Sequence, residues 1–350
     1  MASVNLREIA AKCGVSVKTA SRILGNNGHL HRPETVKRVL RVAEELRYRP
    51  NLLARGVQSG RTRTVGVMLV PDRNGFTSTI MIGIHDALIA RDYLPIMLLA
   101  TGGATEDEQI HRLVDRRVDG MILRADEMRD SDERLSDLLD RNVPVVTVDT
   151  QVPGTRRVDF VGTEDDLGGR LAAEHLLALG HRRVAYVSWD FSHRNMRPRC
   201  EGFQEAVAQT PGATCACVLF PYEPGEEGWV QAIGALLRSP RRPTAVFLSA
   251  DTVAPALYRA ARQEGLRIPE DLSAVGFADL SFVSYMAPPL TTVRQPTYEI
   301  GQQAARMILA RIDKKLAEPV VQRVRLCPEL VVRGSTAAPP GAPGRRERAG

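Results

Sequence analysis

Lys18 and Arg22 lie one helical turn apart in Ser16-Val17-Lys18-Thr19-Ala20-Ser21-Arg22-Ile23-Leu24. At that spacing they share a face with Val17 and Ser21. A guanidinium held there can donate two parallel hydrogen bonds to O6 and N7 of a guanine in a major groove, so the chemistry on offer is recognition rather than bond breaking. Ser16 suits the N-cap, where its hydroxyl accepts from a free amide of the first turn. Ala20, Ile23 and Leu24 fall on the opposite side and supply a packing face. Upstream, Asn5-Leu6-Arg7-Glu8 has capping-box spacing, and Leu6, Ile9, Ala10 and Cys13 form an apolar stripe. Gly14 stands between the two segments, where a tight turn needs positive φ. Two short helices joined this way predict a helix-turn-helix whose second helix enters the major groove.

Charge supports the same reading. Residues 1–63 hold 13 Lys and Arg against 4 Asp and Glu, a net of +9, whereas the whole chain is +6 and the remainder therefore −3. Positive charge gathered at one end is what phosphate binding requires. With 350 residues the chain exceeds one compact core, and its 43% hydrophobic and 25% charged fractions are those of a globular protein. No apolar run reaches the length of a membrane span and the start lacks a signal-peptide pattern, which predicts a cytoplasmic protein. Five scattered cysteines predict reduced thiols. Cys215 and Cys217 alternate on one face of a predicted strand without a second ligand pair, so neither a metal site nor a cofactor is expected.

The elements that position these residues follow in order. Pro33 opens a third helix with Val36, Val39, Leu40, Ala43 and Leu46 inward, closing a three-helix head. Residues 52–58 read as a short helix too brief to stand alone, and 59–63 as a linker. From Thr64, strands predicted at 65–70, 96–99, 120–123, 145–148, 184–187, 218–220, 245–248 and 274–276 alternate with helices at 80–91, 106–117, 167–179, 201–209, 227–237 and 255–264. That alternation predicts an α/β core of two doubly wound parallel-sheet lobes preceded by an all-α helix-turn-helix head. Small molecules bind beyond the carboxyl ends of such strands, so the cleft between lobes is the expected ligand site.

Residues 6–24, Arg49-Pro50-Asn51 with Ala54-Arg55, Arg117-Val118-Asp119-Gly120, Leu179-Gly180-His181-Arg182, Glu201-Gly202-Phe203, Arg242-Pro243-Thr244-Ala245-Val246, Pro289-Leu290-Thr291-Thr292 and Arg333-Gly334-Ser335 occur in the order found in one family. Together they make the chain resemble the lactose-repressor/galactose-repressor family. The resemblance implies a dimeric transcription regulator, a repressor on pseudo-palindromic operator DNA, with a sugar-like effector between the core lobes. It implies a head at 1–49, a hinge helix and linker at 50–62, a first lobe from 63–161 plus 292–323, and a second from 162–291 plus 324–334. Residues 335–350, rich in Pro and Gly, read as a disordered tail without leucine heptads, so a dimer is expected rather than a larger helical assembly. DNA contacts are expected from Leu6, Ser16, Val17, Lys18, Thr19, Ser21 and Arg22 in the head and from Asn51, Ala54, Arg55 and Val57 in the hinge. Val57 would wedge into the minor groove.

The resemblance also implies effector contacts. Arg199 matches the arginine before the Gly-Phe landmark, Arg197 shares its loop, and Phe76 and Tyr222 match positions of aromatic faces. Asp149 ends a strand and can accept from a hydroxyl; Asp279 is a further candidate acceptor. Ala278 and Ala250 depart from the family by removing polar partners for sugar hydroxyls, while Arg194 and Arg197 add charge, which points to an acidic sugar derivative. Asp251 reads as a helix cap. Two other classes share parts of this pattern. A periplasmic transport receptor would lack the basic head, and an enzyme would need a nucleotide, phosphate or nucleophile motif that the chain does not contain. A regulator whose effector is a nucleobase or a partner protein is the nearer alternative.

Overall fold

The computed structural model describes residues 4–25, 30–48, 61–69, 75–99, 106–124, 135, 138–151, 158–190, 194–221, 226–313 and 320–341. The hinge residues Asn51, Ala54, Arg55 and Val57, and Tyr222, lie outside them. The chain divides into two compact units, Met1–Arg63 and Thr64–Gly350.

In the first unit, α1 (Leu6–Lys12), α2 (Val17–Leu24) and α3 (Pro33–Glu45) enclose Ile9, Cys13, Ile23, Val39 and Ala43. Asn5 Oδ1 accepts from the amides of Arg7 and Glu8, and its amide group donates to Glu8 Oε1 at 2.9 Å. Ser16 Oγ accepts from Thr19 N at 3.0 Å. Gly14 turns the chain at φ 58°. α3 starts with Pro33 but has no side-chain cap, because Arg32 offers no acceptor. Leu40, expected inward, is 49% exposed; Val36, Val42 and Leu46 pack on the core instead.

The second unit holds two six-stranded sheets. The first contains β1 (Thr64–Leu69), β2 (Leu94–Leu99), β3 (Gly120–Leu123), β4 (Val145–Val148), β5 (Asp159–Thr163) and β11 (Arg323–Leu326), in the order β11-β5-β4-β3-β1-β2. The second contains β6 (Arg183–Trp189), β7 (Thr214–Phe220), β8 (Ala245–Leu248), β9 (Ser273–Ala278), β10 (Thr291–Arg294) and β12 (Glu329–Val331), in the order β12-β10-β9-β8-β6-β7. All described pairings are parallel except β10 with β12. The fully buried strands read as near-continuous apolar runs because helices cover both sheet faces. α4 (Phe76–Ile89), α5 (Glu106–Asp115) and α10 (Thr297–Ile312) serve the first sheet. α6 (Asp165–Ala178), α7 (Met196–Ala208), α8 (Glu226–Arg238) and α9 (Ala254–Gln263) serve the second.

The chain passes between lobes after β5, after β10 and between β11 and β12. β10 therefore belongs to the second lobe and β11 to the first, which moves the expected boundaries at 292 and 324 by a few residues. The tail expectation fails over 335–341. Ser335 is fully buried, where its Oγ accepts from Thr291 N at 2.8 Å and donates to Ala274 O at 2.6 Å. His181 Nε2 lies 2.9 Å from Ala337 O. A polar stretch that looks solvated is held by buried backbone groups needing partners.

Candidate functional site

The reading face of the head is built from the cap upward. Ser16 fixes the start of α2, and Ala20 and Ile23 anchor its inner side at 0% and 4% exposure. Helical periodicity then leaves Val17, Lys18, Ser21 and Arg22 exposed together, with Val17 an apolar contact amid three polar groups. Thr19 is half-buried with its hydroxyl 2.9 Å from that of Ser16, and Leu6 is half-buried at the first turn of α1. The face offers hydrogen-bond donors and two cations, Lys18 and Arg22, with Val17 available to a thymine methyl.

In the core, two of the predicted effector residues, Asp149 and Arg199, belong to buried ion pairs, one per lobe. Arg124 follows β3 and Asp149 follows β4; Arg124 Nη2 and Asp149 Oδ2 are 2.9 Å apart. Phe76, the first residue of α4, lies under the guanidinium, with its ring centroid 5.3 Å from Arg124 Cζ. Asp149 has φ 65°, a left-handed conformation uncommon outside glycine.

In the second lobe Arg199 is 2% exposed. Its Nε donates to Asp165 Oδ1 and its Nη1 to Ser249 O, each at 2.7 Å, and its Cζ stands 3.8 Å from the Phe277 ring centroid. Glycines permit this. A Cβ on Gly169 would collide with Arg199 O, and one on Gly202 with Asp166 O, so α6 and α7 cross at backbone distance and bring Asp165 beside Arg199. Burial pushes the Asp165 carboxyl up to about 6, with Arg199 pulling it down and Asp149 pushing it further up.

Asp279 serves differently. Its Oδ2 accepts from Arg294 Nε at 2.7 Å and its Oδ1 from Arg333 Nη2 at 2.6 Å. It borders a cavity of about 420 Å³ at the lobe crossings, together with Thr79, Ala278, Gln295 and Tyr298. Asp251 does not cap a helix: Thr292 Oγ1 donates to its Oδ1 at 2.7 Å and Leu280 N to its Oδ2 at 2.8 Å. Arg194 and Arg197 are exposed. Sequence reasoning missed Arg124, Asp165, Ser249 and Gln295, whose Nε2 donates to Thr163 Oγ1 at 3.0 Å across the crossing. Arg124 and Ser249 directly follow β3 and β8, and that position beyond strand carboxyl ends is the signal that could have found them. Asp165 was hidden because the helix was expected to begin at 167.

Comparison with known proteins agrees with both halves. Residues 5–51 match the model of bacterial regulatory proteins, lacI family, and residues 173–336 match a periplasmic binding protein-like domain. The HTH-type transcriptional repressor PurR of Vibrio campbellii is 30% identical over 334 residues, covering 94% of this chain and 98% of the relative. The ribose operon repressor of Escherichia coli K12 is 29% identical over 335 residues, covering 94% and 99%. Among solved structures, a LacI family transcriptional regulator from Enterococcus faecium with bound ribose aligns at TM-score 0.67 and 34% identity, over 79% of this chain and 99% of that one. The lac repressor dimer bound to operator and the anti-inducer ONPF aligns at TM-score 0.80 and 25% identity, over 96% and 100%. A capped recognition helix on a basic head, joined to a two-lobed core, is thus matched along nearly the whole chain by repressors, and the protein is a DNA-binding transcriptional regulator of the lacI family.

Proposed function

We propose that the protein is a dimeric repressor of the bacterial cytoplasm whose hold on a pseudo-palindromic operator is set by a sugar-like molecule between the core lobes. The observation that carries the DNA half is the exposed Val17, Lys18, Ser21 and Arg22 face over a closed three-helix core, in a segment with net charge +9. Ser16 and Thr19 fix the start of the reading helix, and Leu6 supports it from α1. In the hinge, Asn51, Ala54, Arg55 and Val57 are proposed to follow the minor groove. Relatives named as repressors, including one solved on its operator as a dimer, support the same reading.

For the effector half, Arg124 and Arg199 supply fixed donors, and Asp149 and Asp165 fixed acceptors. A hydroxyl both donates and accepts, so a polyol matches that alternation. Phe76 and Asp279 would border the ligand from either lobe. A neutral sugar fits better than an acidic derivative, because Arg199 is already neutralised by Asp165 while Arg194 and Arg197 are exposed, where solvent weakens their pull. Ribose and cellobiose bound to structural relatives support the sugar class.

The test is selection of binding sites from random duplexes by the full chain and by residues 64–350. A palindromic consensus bound by the full chain alone is expected, and retained operator affinity in the truncated chain would overturn the assignment. Calorimetry with matched neutral and acidic sugars then separates the two effector classes.

A further inference from the structure

We propose that Cys200 and Cys217 form a reversible disulfide under peroxide, one residue along α7 from Arg199. The fold brings together two thiols that are far apart in character. Cys200 is 3% exposed on α7, whereas Cys217 is exposed on β7, the edge strand of the second sheet. Their sulfurs are 3.7 Å apart and unbonded. The sulfurs are thus in contact, and a bridge requires them to close to the ordinary S–S length of about 2.05 Å by side-chain rotation at the two residues. Cys215, two residues earlier on β7, directs its sulfur to Ala216 O instead.

The pair divides the work of oxidation. Either thiol can donate across this contact; the hydrogen bond to Cys217 and burial push Cys200 up and keep the proton on it, and in that arrangement its S–H favours the Cys217 thiolate and lowers Cys217 to about 7. An accessible, low-pKa thiolate beside a protected thiol is the arrangement of a peroxide-sensing cysteine and its resolving partner. The Cys217 thiolate attacks one oxygen of hydrogen peroxide, breaking the O–O bond to give Cys217 sulfenic acid and hydroxide. The Cys200 sulfur then attacks the Cys217 sulfur and displaces its oxygen. The Cys200 proton leaves with that oxygen as water, and the hydroxide takes up a proton from solvent. Two thiols have lost two electrons to one peroxide, yielding one disulfide and two waters; a dithiol reductant reverses the change. The bridge ties α7, which carries Arg199, to the sheet edge.

The full-length protein, reduced, freed of reductant and treated with one equivalent of hydrogen peroxide, provides the test. Alkylation of remaining thiols and peptide mapping without reduction should recover one cross-linked species containing Cys200 and Cys217, lighter by two hydrogens and lost on adding dithiothreitol. C217S, altered at an exposed site, should abolish it, and C215S should leave it intact. A Cys215–Cys217 bridge, a bridge between two chains, or accumulation of sulfinic acid at Cys217 in place of the Cys200 bond would each overturn the proposal.

Discussion

Arg199 and Asp165 form a 2.7 Å ion pair between helices that touch through Gly169 and Gly202, with the guanidinium also stacked on Phe277 and donating to Ser249 O. The pair is almost wholly buried, so each partner depends on the other to offset lost hydration.

Arg199→Ala should therefore destabilise the protein by about 3–5 kcal/mol near pH 7.5, the cost of leaving a buried charge alone. The loss should shrink at pH 5.5, because a carboxyl held near 6 even with its partner present accepts a proton there and ceases to be a stranded charge. Urea unfolding at the two pH values checks this. An equal loss at both would show that packing against Phe277, not the ion pair, dominates.

Asp251 gives a second pH signature. Burial lifts its carboxyl from 3.8 to about 6, so the folded state binds the proton more tightly than the unfolded chain. Stability from this group is fully present below about 4 and is lost as pH rises toward about 6, since the unfolded chain ionises first. Asp251→Asn keeps an acceptor for Leu280 N or Thr292 Oγ1 but does not titrate. The melting temperature of the variant should fall less than wild type between pH 4.5 and 6.5. Parallel curves would rule out this origin.

The local half of the structure was legible in the sequence. Asn5, Ser16, Gly14 and the apolar spacing of Ile9, Ala20 and Ile23 each act within a turn or two, so capping and periodicity found both helices. The strands 245–248 and 120–123 were equally plain, being buried on both faces. What escaped was set by distant partners. β10, β11 and β12 are short, and Arg323, Arg325 and Glu329 on the last two are exposed, so they carry no strong apolar run. Arg199 was identified as a site residue, but its pairing with Asp165 depends on two glycines whose close approach has no local signature. Ser335 looked like the start of a tail because its partners, Ala274 and Thr291, lie 61 and 44 residues away.

Gly202→Ala tests the helix crossing. Its Cβ would strike the backbone of Asp166, which cannot yield as a side-chain tip can, so α6 and α7 must separate. Overpacking of this kind costs about 1–3 kcal/mol, and more when backbone must move. Thermal melting should report that loss, with weaker sugar binding in calorimetry as Asp165 is drawn from Arg199. A variant with wild-type stability would mean that the crossing is loose.

Ser335→Ala should cost about 1–3 kcal/mol, since it strands a buried amide and a buried carbonyl at once. Deleting residues 342–350 should leave the melting temperature unchanged, whereas deletion from Ser335 should lower it sharply. Equal behaviour of the two truncations would return residues 335–341 to the tail.

Arg22 and Lys18 share the exposed face of α2 but differ in what they can read. A guanidinium presents parallel donors matched to guanine O6 and N7, whereas an ammonium is a compact charge equally suited to any phosphate. Arg22→Ala should accordingly relax preference at a single guanine in each half-site, at about 1–3 kcal/mol for that base, and leave the other positions alone. Lys18→Ala, if Lys18 meets phosphate, should weaken all sequences alike and lower the salt dependence by about one counterion. Binding-site selection with both variants, followed by titration at several salt concentrations, separates the roles. Loss of a base preference in Lys18→Ala would move that residue into the reading set with Arg22, and an unchanged guanine preference in Arg22→Ala would reject the assignment made from its place on the helix.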